Sequence, residues 1–178
     1  MNRRRRRTVT ACFLTLAFGI AALPAVLSSF LHDGEHSGEV QAWVAGFNGT
    51  DGVLMQKREL GCGPAALAMI FAAEGIPASL DSLAGELGLT SDGTSMQHLK
   101  IVAERHRMRV GAWRFNLMQL RHAPLPAILF LKRGHFVVLD SVGTDDRAYI
   151  RDPAVGRIAV EPAVLTQLWK GETLVFEK

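Results

Sequence analysis

The sequence predicts an α+β domain in which helices pack on an antiparallel sheet. Three observations predict it. Helix-forming runs with capping or glycine stop residues come first, between residues 61 and 106. Short apolar runs bounded by Pro, Gly and Asp follow, between residues 127 and 176. Strands do not alternate with helices, so βαβ crossovers and a parallel sheet are not expected. The 178 residues suit one domain plus a short extension. With 48% hydrophobic and 21% charged residues, a disordered or collagen-like chain is excluded.

The first element is an address. Arg3 to Arg7 are followed by Thr8 and by twenty-three uncharged residues, Val9 to Leu31. A basic start before an apolar run marks export or membrane insertion, and this run is long enough to span a bilayer. Residues 1–31 therefore read as a signal peptide or a signal anchor. Pro24 and the small residues Ala25, Ser28 and Ser29 favour cleavage; the lack of an Ala-x-Ala site and the length of the run favour an anchor. Arg6-Arg7 is a weak match to a twin-arginine signal, because five arginines adjoin. The rival reading, a buried core helix, would set five charges at its end. The positive-inside rule places the arginines in the cytoplasm and the rest outside, periplasmic, secreted or membrane-anchored.

Residues 32–51 read as a linker, rich in Gly, Ser, Asp, Asn and Glu, with a short apolar patch at Val40–Phe47. The globular part is expected at residues 52–178. Gly61-Cys62-Gly63-Pro64 leads into the helix formers Ala65 to Glu74, with Gly75 as the stop. Leu80–Leu87 forms a second helix, closed by Gly88. Thr94 or Ser95 caps a third, Met96–His106, with Leu99, Ile101 or Val102 inward. Strands are expected at Ala127–Leu131, Phe136–Leu139, Ala148–Ile150, Gly156–Val160 and Leu174–Phe176. Trp113 and Phe115 read as core or rim residues of a strand, and Asp145-Asp146 as a solvated turn.

Charge excludes one class of partner. The formal charge is +3, but without Arg3–Arg7 fifteen basic residues face seventeen acidic ones, a net −2. That leaves no basic footprint for nucleic acid. Cys12 and Cys62 are the only cysteines, so a disulfide scaffold is excluded. Cys12 is a small apolar residue of the address segment, which leaves Cys62 as the one thiol of the exported part.

Cys62 precedes a helix and lies between two glycines. Free N–H groups and the positive dipole end favour a thiolate there, although a lone cysteine is more often a small buried residue. His135 opens the strand Phe136–Leu139, where its ring can be held rigidly with one edge accessible. Asp152-Pro153 ends a strand and by itself reads as a turn. Pairing of the two strands through a turn near Gly143–Asp146, with Leu139 opposite Ala148, would bring His135 and Asp152 together. A Cys, a His and an Asp can supply a nucleophile, its base and an orienter for the base. Gln56, six residues before Cys62, could donate to an oxyanion or simply face solvent. His32, His36, His98, His106 and His122 lack ligand spacing, so no metal and no cofactor is expected.

Gln56-x5-Cys62-Gly63-Pro64-Ala65-Ala66-Leu67-Ala68-Met69-Ile70 resembles the opening motif of the C39 peptidases, the double-glycine peptidases that process bacteriocins. Gly93-Thr94-Ser95, Gly134-His135-Phe136-Val137-Val138-Leu139, Asp152-Pro153-Ala154-Val155-Gly156 and Trp169-Lys170-Gly171 resemble later landmarks in the same order. The resemblance covers about residues 53–178. It implies a papain-like fold, with Cys62 as nucleophile, His135 as base, Asp152 as orienter and Gln56 in the oxyanion hole. It also implies cleavage of leader peptides after Gly-Gly, commonly beside an ABC exporter. This chain departs in three ways: Gly61 replaces an acidic or polar residue, no P-loop is present, and the address segment puts the domain outside the cytoplasm.

The leading expectation is an exported or membrane-anchored cysteine peptidase acting on a peptide or protein, with separately encoded export machinery as partner. The alternative is a catalytically silent C39-like module that binds a peptide or recruits a partner. A cell-wall amidase is weaker, since its Asp-Cys-Ser surroundings are replaced by Gly61-Cys62-Gly63.

Overall fold

A computed structural model describes residues 52–56, 60–91 and 93–177. The expected address segment, the linker with its Val40–Phe47 patch, Cys12, His32 and His36 lie outside the described residues. Five helices and six strands follow one another: α1 (Cys62–Ala73), α2 (Leu80–Leu87), α3 (Met96–Arg105), β1 (Arg109–Arg114), α4 (Leu117–Leu120), β2 (Ala127–Leu131), β3 (His135–Val142), β4 (Ala148–Asp152), β5 (Gly156–Val160), α5 (Pro162–Leu168) and β6 (Trp169–Glu177). Among the described residues, no helix is long and apolar enough to cross a membrane.

The expected α+β order is present, and the local chemistry explains most boundaries. Gly75 stops α1 with φ +68°. Ser79 caps α2 by accepting from Ser82 N–H at 3.1 Å, and Gly88 ends it in the left-handed conformation. Ser95 rather than Thr94 caps α3, accepting from His98 N–H at 3.2 Å. Helix α1 begins at Cys62, as expected, because glycine and proline fit a first turn whose N–H groups need no intrahelical acceptor. The strands differ most from expectation: β3 runs His135–Val142 rather than Phe136–Leu139, and β4 ends at Asp152 rather than Ile150. Strand β6 begins at Trp169 rather than Leu174, Lys170 and Glu172 facing away from the core.

All strand pairs are antiparallel, in the spatial order β1-β6-β2-β3-β4-β5. One sheet face, through Val110, Ile128, Phe136, Val138, Leu174 and Phe176, packs on α1, α2 and α3. The other, through Leu129, Val137, Leu139, Ile150 and Ile158, packs on Leu120, Leu165 and Trp169. Edge strand β1 has one carbonyl, that of Val110, capped by Lys100 Nζ at 2.7 Å. Trp113 lies in this strand but is 58% exposed, stacked on Phe115 rather than in the core. Asp145 and Asp146 are exposed, as expected, and both meet arginines.

Helix α1 sets the position of everything near its start. Residues Cys62 to Phe71 are all buried, and Leu67, Met69, Ile70 and Phe71 are wholly so. Each large side chain buried this way contributes about 1.5–3 kcal/mol. The approach is closest at Gly63, where an added Cβ would lie 2.3 Å from Thr94 Cγ2. Gly63→Ala should therefore destabilise the domain by about 1–3 kcal/mol through overpacking. Removing the opposing methyl with Thr94→Ala should recover most of that loss. Urea unfolding of the single and double variants checks it; an unrecovered loss would mean that the strain lies elsewhere.

Candidate active site

Three elements bring the candidate residues together: the N-terminus of α1, the start of β3 and the end of β4. Cys62 is the first residue of α1, behind Gly61, which offers no side-chain cap. Its Sγ lies 3.9 Å from Gly134 O, in the turn just before His135. The backbone N–H groups of Gly63 and Phe136 donate to the sulfur, and His135 hydrogen-bonds to it.

His135 opens β3. Its Nε2 meets Asp152 Oδ1 at 2.8 Å, which leaves Nδ1 as the ring nitrogen for the sulfur. Asp152 is 6% exposed, and the same Oδ1 accepts from Ala154 N–H at 2.8 Å. The strand register differs from the expected one. Leu139 pairs with Ile150 rather than Ala148, with an irregularity between Leu139 and Ser141. Continuing the ladder sets Asp152 level with Val137, diagonal to His135, a separation that two reaching side chains still bridge.

Electrostatics follow from this geometry. Burial pushes the Cys62 thiol up, but hydrogen bonding to His135, the charge of its ring and the two backbone donors outweigh that and lower it below 9.0. Burial pushes His135 down, yet its bonds to Asp152 and Cys62 and their charges raise it to about 10. Over the pH range between the two, the pair is a thiolate facing an imidazolium. A thiolate is a nucleophile, and an imidazolium can give up its proton to a departing amine.

Gln56 is tied to the residue that follows Asp152. Its backbone N–H donates to Pro153 O at 2.9 Å, and its side-chain amide oxygen is buried. With Gly61 and Pro64 it lines one end of a cleft of about 610 Å³, whose other wall is Leu80, Asp81, Ala84 and Gly85 of α2. The other histidines are apart from the site: His98 lies on α3, His122 follows α4, and His106 contacts Glu86 Oε2 at 3.0 Å. Among the described residues, no group of three or more His, Cys, Asp and Glu is placed to hold a metal ion.

Sequence reasoning missed Asp140 and Arg151. Asp140 Oδ1 accepts from Arg151 Nε at 2.9 Å, next to the site. The available signal was a charged residue in the middle of an otherwise apolar strand.

Several known proteins are similar to this chain, among them three that bear on the site. An uncharacterized protein of Methanothermobacter thermautotrophicus is 33% identical over 134 residues, covering 73% of this chain and 91% of the relative. The probable functional amyloid protease FapD of Pseudomonas aeruginosa is 33% identical over 129 residues, covering 65% of this chain and 56% of FapD. The crystal structure of a double glycine motif protease from the AMS/PCAT transporter, in complex with the leader peptide, superposes with a TM-score of 0.67. It is 27% identical, and the match covers 74% of this chain and 91% of that one. The fold is thus the papain-like one of the double-glycine peptidase domains. The chain belongs to the peptidase C39 family, whose model matches residues 51–178.

Proposed function

We propose that the chain is an exported or membrane-anchored cysteine peptidase that cuts a leader or secreted peptide after a Gly-Gly pair. The observation that carries the chemistry is His135, bonded on one ring edge to Cys62 and on the other to Asp152. The Cys62 thiolate attacks the scissile carbonyl carbon. The resulting oxyanion takes hydrogen bonds from the Cys62 backbone N–H and the Gln56 side-chain amide. His135 gives its proton to the leaving nitrogen as the C–N bond breaks, leaving an acyl-enzyme. Neutral His135 then draws a proton from water, whose oxygen attacks the thioester carbonyl and releases the acid. Thiolate and imidazolium are restored. Asp152 holds the ring orientation and stabilises its charge throughout.

The substrate class rests on similarity: the solved relative is a double glycine motif protease bound to a leader peptide. A cleft along α2 that opens beside Gln56, Gly61 and Pro64 can receive an extended peptide. The partner implied is a separately encoded export machinery. Residues 1–31 serve as signal or anchor and residues 32–51 as linker, a reading supported by the arginines before Val9–Leu31. Retention of both nucleophile and base weighs against the silent peptide-binding module.

Cys62→Ala should abolish peptide hydrolysis with the fold intact. His135→Ala should cost about 10³-fold in kcat, and Asp152→Asn less, about 10²-fold, since the acid–base group remains. Turnover by purified Cys62→Ala protein would remove the cysteine-peptidase reading.

The ion pair also sets a pH window. Iodoacetamide labelling of Cys62 should reach half its plateau below pH 9. In His135→Ala only the two backbone donors still oppose burial, so that midpoint should move up. Asp152→Asn removes a group that raises His135, so the alkaline loss of hydrolysis near pH 10 should move down. Rate against pH for the three proteins checks both directions.

A fusion of residues 1–50 to a reporter active only outside the cytoplasm should be active, and neutral replacements of Arg3–Arg7 should weaken it. Activity of a cytoplasm-dependent reporter would contradict export.

A further inference from the structure

Gln56 sits on a segment, Gly52 to Gln56, that belongs to no helix or strand. Val53 is buried, while Leu54 and Met55 are 38% and 39% exposed, so apolar packing holds it only lightly. Polar ties act at both ends. Gln56 N–H donates to Pro153 O at 2.9 Å. Arg151 Nη1 donates to Gly52 O at 3.1 Å. Gly52 has φ +69°, and a Cβ there would lie 3.2 Å from Arg157 Nη2.

Arg151 is itself fixed. It is 8% exposed, and Asp140 Oδ1 accepts from its Nε at 2.9 Å and lies 2.7 Å from its Nη2. Asp140 Oδ2 lies 3.4 Å from Arg157 Nη1. A guanidinium bound on several nitrogens has a set direction, which a lysine ammonium would lack. Buried ion pairs are poor sources of net stability, so placement is the better account of this one.

The consecutive residues Arg151, Asp152 and Pro153 therefore hold three different things: Gly52, His135 and Gln56. We infer that Arg151, held by Asp140, is a positioning residue that straps the Gly52–Gln56 segment to the turn orienting His135, so that oxyanion donor and base are set from one frame. This rests on the oxyanion role proposed above for Gln56.

The test uses hydrolysis of N-acetyl-Gly-Gly p-nitrophenyl ester by the full chain and by Arg151→Met, which keeps the buried volume. Arg151→Met should lower kcat tenfold or more with KM changed less than threefold, because the donor is misplaced. The pH profile of iodoacetamide labelling should stay as in the parent, since the Cys62–His135–Asp152 contacts are untouched. In a Gln56→Ala background, where the donor is already gone, Arg151→Met should cost less than twofold. Asp140→Asn should reproduce the pattern more weakly, and it decides by the same criteria if Arg151→Met does not fold. If Gln56→Ala is slow while Arg151→Met is silent, or multiplies its loss in full, this inference alone falls. A shifted labelling profile in Arg151→Met would overturn it too, by showing that the whole turn has moved. Parent-like kcat in Gln56→Ala would sink the oxyanion role, and this inference with it.

Discussion

The site depends on the burial of α1. A helix that hides ten of its twelve residues cannot roll or slide without opening cavities on several sides. Its first residue is therefore placed as firmly as its core. Sheet residues Phe136 and Val138 and helix residue Leu99 belong to the same apolar cluster. The start of β3 is thereby held against the start of α1, and the packing decides where Cys62 and His135 meet. Gly63 admits a third element to that meeting: a Cβ there would lie 2.3 Å from Thr94 Cγ2, just before α3, while Phe136 of β3 stays at an ordinary 3.5 Å.

Burial works against the thiolate that the site needs. Seven per cent exposure of Cys62 favours the neutral thiol, as it would favour neutral imidazole at His135. Cys62 nevertheless becomes charged chiefly because His135 hydrogen-bonds to it, and His135 chiefly because Asp152 does, with Cys62 adding to the effect. Two oriented backbone N–H groups, from Gly63 on the helix and Phe136 on the strand, share the task. They come from opposite sides of the helix–sheet contact, so loss of that contact would weaken both together.

Much of this was legible in the sequence, and for local reasons. Gly75, Gly88 and Ser95 mark helix ends because their backbone or side-chain chemistry acts over a few residues. His135 after Lys132-Arg133-Gly134 was readable as the start of a strand. What escaped depends on distant partners. The segment Arg109–Arg114 has no clean alternation, so although Trp113 was read as a strand residue, the bounds of β1 are set only by β6 beside it. Trp113 was expected in the core or at its rim, but the outermost strand leaves its ring open to solvent. The irregularity after Leu139 coincides with Asp140, whose carboxylate turns to Arg151, and no counting of apolar residues would reveal it. Short α4 is set by the Asn116–Gln119 capping box, a signal easily lost among loop residues.

The strand order has a bearing on how safely such a chain can be handled before it folds. Ala127-Ile128-Leu129-Phe130-Leu131, which carries no charge, is β2, enclosed by β6 on one side and β3 on the other. In isolation such a stretch is a template for stacking with copies of itself. The strands left at the rims are instead β1, with Arg109 and Arg114 at its ends and one carbonyl already taken by Lys100, and β5, which carries Arg157. Charged rims discourage edge-to-edge growth between molecules. The sticky segment is therefore exposed only while the chain is unfolded, so its hazard ends once β6, the last strand, closes over it.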